Sequence, residues 1–294
     1  MDNWDEIRTA FHVAKQGTVS GAAEMLGVHH ATVIRHIDAL EGRLGTKLFQ
    51  RHARGYTATE AGKDLLRVAQ ATDEQFAQLG ARLRGTGDAV AGELVVTAIP
   101  GLALVLAPVL AEFQMDHPDV RVRLMTDVRV FRLEYGEAHV ALRVGMSAPD
   151  EPDNVVQSLA PLRSALYASQ DYIDRTGFPE TDEDLLSRSF VGSLGVSSRA
   201  PFHVWMDSVV PPEQILFSAS DFESTKYAVL AGIGLGFIST WEAAKLPQLV
   251  QVRPPRPDWT VNIWLVTHVD LHRTPKVQAI VNRIKAKAVD WPDS

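Results

Sequence analysis

Residues 20–40 read Ser20-Gly21-Ala22-Ala23-Glu24-Met25-Leu26-Gly27-Val28-His29-His30-Ala31-Thr32-Val33-Ile34-Arg35-His36-Ile37-Asp38-Ala39-Leu40, a pattern that predicts two helices joined by a glycine. Ser20 is an N-cap candidate for a short helix with Ala22, Ala23 and Leu26 on its apolar face, and Gly27 supplies the left-handed exit. A second helix follows from about His30 to Leu44, burying Val33, Ile37, Leu40 and Leu44 and leaving His30, Thr32, Arg35 and His36 exposed. Two short helices across a glycine turn form a helix-turn-helix, and the exposed start of the second is the part that enters a major groove. Upstream, Trp4, Ile7, Phe11 and Ala14 repeat at three and four, which predicts another helix ending near Gly17. Downstream, Lys47–Gln50 and Tyr56–Ala58 read as a wing around His52-Ala53-Arg54-Gly55, whose Arg54 would reach a minor groove or phosphates.

Charge supports a local nucleic-acid surface on an acidic molecule. The 294 residues carry a net charge of -7, which opposes indiscriminate coating of nucleic acid or an anionic membrane. Yet residues 1–65 are balanced at eight bases and eight acids, and hold five of the ten histidines. Within them, Gly42–Thr59 carries Arg43, Lys47, Arg51 and Arg54 with no acid. A length of about two domains and 46% hydrophobic content suit packed cores. The absence of cysteine removes disulfides, thiolate nucleophiles and cysteine-held zinc or iron-sulfur sites, and fits a reducing cytoplasm. Met1–Arg8 carries three acids and a tryptophan, unlike a secretory signal, and no apolar run reaches the ~18 residues of a membrane span. The expectation is a cytoplasmic protein with no membrane partner.

Four segments together resemble a known family: Ala22–Val28, Val33–Glu41, Leu44–Arg51 and Thr59-Glu60-Ala61-Gly62 are similar to the N-terminal domain of LysR-type transcriptional regulators, continuously over about sixty residues. The resemblance implies an α/β protein with a winged helix-turn-helix (1–60), a dimerising linker helix (61–88) and a two-lobed, periplasmic-binding-protein-like effector domain (92–294). It implies double-stranded operator DNA, a small-molecule effector and a second copy of the chain as partners, with tetramers that bend DNA common in the family, and it admits RNA polymerase as a further partner. The DNA-binding residues expected are Ser20, His29, His30, Thr32, Arg35, His36, Arg51 and Arg54. The family usually has Gln where His30 stands and Ser where Ile34 stands, so a base preference off the common pattern is expected.

After the wing, Gly62, Leu65, Ala69, Thr72, Phe76, Leu79 and Leu83 alternate in steps of three and four, a coiled-coil seam that Gly85 and Gly87 end. Leu65, Phe76, Leu79 and Leu83 are the dimerisation candidates. The alternative is that the stripe packs on its own chain's core.

From Gly92 onward, strands and helices alternate, which predicts mainly parallel sheets. Strands are expected at Glu93–Ile99, Asp119–Thr126, His139–Val144, Phe190–Ser193, Ile215–Ser220, Leu235–Ser239 and Val261–His268, with helices at Leu102–Met115, Asp221–Ala231 and Thr274–Val289. The lobe crossovers are expected near Leu159 and Thr267, giving lobe one as 92–159 and 268–294 and lobe two as 160–267. Ligands of such folds sit at strand carboxyl ends and helix N-termini. That nominates Ile99, Pro100, Gly101, Thr126, Asp127, Ser193, Asp221 and Phe222 for the effector, with Leu102 and Phe131 as further apolar wall. Asp127 and Asp221 read equally well as strand-end or N-cap residues, and Ser193 as a solvated turn. Arg143 would clamp a ligand carboxylate or pair with an acid such as Glu137. A small polar or anionic organic effector is expected. Two departures from the family bear on the first-lobe wall: Val128–Gly136 is shorter than usual, and His139 stands where Asp is common.

Other function classes find less support. Gly232-Ile233-Gly234-Leu235-Gly236 is not a GxGxxG spacing and follows a helix, so a helix C-cap entering a buried strand explains it. His268, Asp270 and His272 would share one face of a strand and could hold a metal, or could be a polar connection at the lobe crossover. No HExxH, GxSxG or P-loop is present, so no catalytic residue, cofactor or metal is expected. A transport binding protein would lack the winged N-terminal segment.

Overall fold

The computed structural model describes residues 3–52, 55–83, 90–195 and 199–292. Two compact units emerge, Met1–Ala89 with Arg132–Glu137, and Val90–Phe131 with Ala138–Ser294. The first contains α1 (Trp4–Gln16), α2 (Val19–Leu26), α3 (His30–Leu44), β1 (Phe49–His52), β2 (Gly55–Ala58) and α4 (Glu60–Leu83). Its core gathers Phe11, Val13, Ala22, Val33, Ile37, Leu40, Leu48 and Phe49. The cap of α2 is Thr18, whose hydroxyl accepts from the Gly21 N–H, and not the expected Ser20. Helix formation starts early because Val19 already buries its side chain, which leaves Ser20 exposed in the first turn.

A second correction concerns the end of α3. Leu44 is exposed, and the position buried beside Leu40 is Glu41. This carboxylate accepts the Leu48 and Phe49 N–H groups (2.9 and 3.2 Å), the Lys47 ammonium (2.7 Å) and the Arg51 guanidinium (3.2 Å). One buried acid therefore holds the wing strand to the recognition helix. The wing pairs antiparallel from Phe49↔Ala58 to His52↔Gly55. Gly55 closes it on α1: Tyr56 N–H donates to the Gly17 carbonyl (2.8 Å), and a Cβ at Gly55 would stand 2.4 Å from that same oxygen.

The linker seam splits along its length. Ala69 is buried and Leu65 half-buried, both in the core of their own unit, so the first half of the stripe is satisfied within the chain. Phe76 stays 54% exposed and meets Trp4 edge-on at 5.4 Å. The side chains of Leu79 and Leu83, and the whole of Arg54, lie outside the described residues.

In the second unit the elements run β3 (Gly92–Ala98), α5 (Ala103–Asp116), β4 (Val120–Thr126), β5 (Val140–Gly145), β6 (Asn154–Leu162), β7 (Ser164–Ser169), α6 (Gln170–Thr176), α7 (Asp182–Leu186), β8 (Phe190–Ser193), α8 (Pro201–Val209), β9 (Ile215–Ala219), α9 (Phe222–Leu230), β10 (Gly236–Ser239), α10 (Thr240–Ala243), β11 (Leu249–Arg253), β12 (Val261–His268), α11 (Val269–His272) and α12 (Pro275–Ala288). Lobe one is a five-stranded sheet in the order β4-β3-β5-β12-β6. Lobe two pairs β10-β7-β11 and β8-β9, bridged at Phe190↔Leu235. The sheets are mixed, not mainly parallel: β12 runs antiparallel to β5 and β6, as do β10 and β11 to β7. The cause is direct passage between lobes without a helix, because β6 continues into β7 through Arg163 alone. The first crossing is therefore at Arg163 and not near Leu159. The whole of β12 belongs to lobe one, so the return falls at Thr260 and not at Thr267.

Two motifs take structural roles. Gly232 (φ +75°) ends α9, and a Cβ at Gly234 would stand 2.4 Å from the Ser189 carbonyl, so this run is a helix exit packed on a neighbouring strand. His268 closes β12 and caps α11 through Asp270 N–H, while His272 Nδ1 pairs with Thr267 Oγ1 at 2.8 Å. The strand that would align the two histidines with Asp270 ends at His268, and the described residues contain no group of three ligands suited to a metal.

Glu41 makes the first unit acid-sensitive. Burial alone would raise its pKa, but the Lys47 ammonium and the Leu48 and Phe49 N–H groups more than offset this and hold it below the ordinary glutamate value. Its contribution is therefore present above the unfolded pKa and is lost as pH falls through the folded one. We predict that Glu41→Ala, which orphans two buried N–H groups, costs this unit about 2–5 kcal/mol in urea denaturation followed by circular dichroism. Glu41→Gln should cost less and flatten the loss of stability below pH ~4.5.

Candidate DNA-reading surface and ligand cavity

On α3, the N-cap His29 makes no side-chain capping bond, and His29, His30 and Arg35 are exposed while Thr32 is half-buried. Arg35 makes no ion pair among the described residues. Two further nominees, His36 and Arg51, have partners within this unit. His36 is half-buried and meets Thr9 Oγ1 of α1 through Nδ1 at 2.9 Å. Arg51 pairs with Asp38 (2.5 Å) and Glu41 (3.2 Å), and its guanidinium lies over the Tyr56 ring at 5.3 Å. His36 therefore joins α1 to α3, and Arg51 joins the wing to α3. Helical periodicity found the exposed face but could not see these partners, which lie 27 and up to 13 residues away.

In the second unit a cavity of about 320 Å³ lies between the two lobes. Lobe one supplies Ile99, Gly101 and Leu102 after β3, Val144–Met146 at the end of β5, and Leu162 and Val261. Lobe two supplies Ser164, Arg199–Phe202, Phe222 and Lys226 of α9, and Phe237–Ser239 with Glu242 of α10. Of the effector nominees, Ile99, Gly101 and Phe222 meet here, and Leu102 joins them. Pro100 lies between two of these but does not line the space.

Four further nominees do not line the cavity. Thr126 is exposed at the end of β4. Asp127 accepts the Arg129 N–H and pairs with its guanidinium. Ser193 is half-buried with its hydroxyl unpartnered among the described residues and lies outside the lining. Asp221 caps α9, accepting the Ser224 N–H and hydroxyl at 2.8 Å each, contacts that lower its pKa. Phe131 is buried beneath the Arg129 guanidinium, 3.8 Å from its ring centre, and does not line the cavity. Arg143 takes the second expected role, pairing with an acid, here Glu151 (2.5 Å), and it also donates to the Phe131 carbonyl (3.1 Å). His139 is buried, with Nδ1 accepting the Val95 N–H and Nε2 3.1 Å from Lys276 Nζ, so the departure from Asp serves the inside of lobe one.

The polar corner of the cavity was missed. Lys226 Nζ bonds Glu223 (2.5 Å) and Glu242 (2.9 Å), and Glu242 also accepts the Ser239 hydroxyl (2.8 Å). Burial disfavours the Lys226 charge, but the two carboxylates more than offset it and raise its pKa. A signal was present, since Ser239-Thr240-Trp241-Glu242 has the S-x-x-E spacing of a helix start, and Ser239 does cap α10. Phe202, Phe222 and Phe237 form the aromatic wall, and His203 stacks on Phe222 at 5.9 Å. His203 is fully buried with both ring nitrogens unpartnered among the described residues, and burial pushes its pKa down to about 4.

Comparison with known proteins places this architecture. Residues 87–289 match the LysR substrate binding domain and residues 4–63 match the bacterial regulatory helix-turn-helix protein, lysR family. The chain belongs to the LysR family: it is a DNA-binding transcriptional regulator with an effector-binding domain. It is 31% identical over 287 residues to an HTH-type transcriptional regulator of Xanthomonas campestris pv. campestris, covering 92% of this chain and 81% of that one. Full-length CbnR, solved in complex with target DNA, superposes with a TM-score of 0.63 at 21% identity, covering 97% of this chain and 99% of that one. Full-length LysG from Corynebacterium glutamicum, solved with bound effector Arg, gives a TM-score of 0.67 at 18% identity, covering 99% and 100%. No described helix is long and apolar enough to cross a membrane.

The orphaned His203 gives a prediction about the cavity's lobe. Because it stays neutral when folded and titrates near 6.5 when unfolded, the stability present above pH ~6.5 erodes as pH falls toward 4. The loss amounts to about 3 kcal/mol across that window. His203→Leu, which removes two buried unpaired nitrogens, should raise the melting temperature and abolish this pH dependence. A variant no more stable than wild type at pH 5 would show that the imidazole has partners in solution.

Proposed function

We propose that this regulator acts as a homodimer or homotetramer that reads a roughly two-fold symmetric operator, under control of a small molecule bound between the lobes of residues 92–294. The observation that carries the effector reading is the cavity itself, walled by both lobes and largely apolar, as ligand sites are. The effector in LysG and the target DNA in CbnR support the assignment of the two activities to these two parts of the chain. The protein binds and carries out no covalent chemistry, as a cytoplasmic regulator of this kind would. His29, His30, Thr32 and Arg35 contact bases from the start of α3, with Arg54 on the wing. Ser20, exposed at the start of α2, lies in reach of the phosphates in such a docking. Residues 61–88 supply the dimer contact through the outer half of the seam, Phe76, Leu79 and Leu83, since Leu65 already packs at home.

Genomic fragments bound by the purified protein would supply the operator. On it, Arg35→Ala should cost on the order of 1–3 kcal/mol and relax base preference, measured by fluorescence anisotropy at fixed salt. Operator affinity unchanged in this variant would remove Arg35 from the interface. Phe76→Glu would place a charge in the proposed dimer contact, so sedimentation should show dissociation and operator binding should fall with it. An intact dimer in that variant would leave Phe76 to its contact with Trp4.

A further inference from the structure

We propose that the interlobe cavity takes an organic cation, with an ammonium group on Glu242 and an apolar body against Phe202, Phe222 and Phe237. The inference rests on the reading of this cavity as the effector site and adds the chemical class of its occupant. It starts from a charge count. Lys226, 14% exposed, is shared by two carboxylates, Glu223 and Glu242, so the cluster is one positive charge short. Of the two carboxylates only Glu242 lines the cavity, beside Lys226, and at 18% exposure little water compensates it.

The bonding inventory gives the same answer. A carboxylate offers about four acceptor sites, and Glu242 uses one for Lys226 Nζ and one for the Ser239 hydroxyl. What it lacks is donors, and an ammonium brings three. The approach to Oε2 runs past Gly101, where an added Cβ would stand 3.5 Å from this oxygen, so the glycine leaves it uncovered from the lobe-one side. The three phenylalanines offer apolar surface and ring faces, both of which favour a cation with a hydrocarbon body. A carboxylate ligand would meet the opposite conditions. Asp221 and Asp127 are occupied elsewhere, but among the described residues no unshared buried cation lines the cavity in their place, because Lys226 already serves two acids and Arg199, which lines it, is exposed and screened.

The test uses the full chain and three probes of matched size: 2-phenylethylamine, 2-phenylethanol and phenylacetate, titrated by calorimetry at neutral pH. The amine should bind at least roughly tenfold more tightly than the alcohol, and the acid least tightly, the difference expected of one charge-assisted contact. Glu242→Gln, which keeps the shape, should bring the amine down to the affinity of the alcohol. Lys226→Met should strengthen amine binding by removing the competing cation, an effect that mere structural damage would not produce. Equal binding of amine and alcohol, a preference for phenylacetate, or no binding of any probe would overturn the proposal. Gly101→Trp and Ala200→Trp, each filling the cavity, separate this from the underlying reading. Probe binding that survives both would place the site outside the cleft, whereas binding that both abolish but without amine preference would sink only the cation.

Discussion

Trp241 leaves the lobe that precedes it in sequence and buries its indole in the core of the other, edge-on to Trp291 at 5.6 Å. It does so from the second residue of α10, directly after β10 of lobe two, and the preceding Thr240 N–H donates to the Arg163 carbonyl at the crossover (3.0 Å). The two lobes are thus pinned at the point where the chain passes between them. A buried tryptophan of this kind costs about 3–5 kcal/mol to truncate. Its Nε1 has no partner among the described residues, so packing alone holds it there. Two of the cavity's polar groups hang from this anchor, since Ser239 caps the same short helix and Glu242 follows Trp241 by one residue. The cleft is a consequence of that plug: with α10 fixed against lobe one, Glu242 is brought to Gly101.

The first unit uses a different device for the same purpose. Its elements are too small for one large side chain to set their angles, and a buried carboxylate does so through several directed bonds. Glu41 lies on α3 and its partners lie on the segment leading into β1, so any tilt of the wing breaks N–H contacts that have no water to replace them. Arg51 adds a second strut from wing to helix and Glu6 with Arg43 a third from α1 to α3. Charged residues that composition would assign to DNA are thereby consumed in holding the reading head rigid. The cations left to a partner are fewer than the basic count suggests.

This division explains what was legible in the sequence. The helix-turn-helix was readable because its information is local: steps of three and four, glycines at helix ends, a polar cap. Even there Thr18 replaced Ser20 and Glu41 replaced Leu44, because both choices depend on which neighbour a side chain meets in space. In the effector domain, strand ends and a helix start led to Ile99, Gly101 and Phe222, which line the interlobe cavity. The same rule also named Ser193, which lies outside the lining, and Asp127 and Asp221, since an acid at an element's end satisfies itself locally as readily as it faces a cleft. Strand direction escaped prediction because β6 carries Asn154, Gln157 and Ser158, which break its apolar pattern, and β7 follows after one residue. The cap spacing around Glu242 was readable, but its ion pair with Lys226 was not, being a pairing across 16 residues and two helices.

The placement of this pair also bears on how occupancy of the cavity is converted into a signal. A ligand shifts an equilibrium only by the difference in its affinity for the two states, so it must touch something that moves. Gly101 belongs to lobe one and Lys226 to α9 of lobe two, while Glu242 sits on the short helix that plugs one lobe into the other. A group bound between Gly101 and Glu242 competes with Lys226 for the carboxylate and leaves Glu223 as that lysine's remaining acid. Rearranging those bonds acts on α10, and α10 carries Trp241. The residue that would meet the ligand is adjacent to the residue that sets the angle between lobes, so a change of one ion pair is delivered where the two halves of the domain are joined.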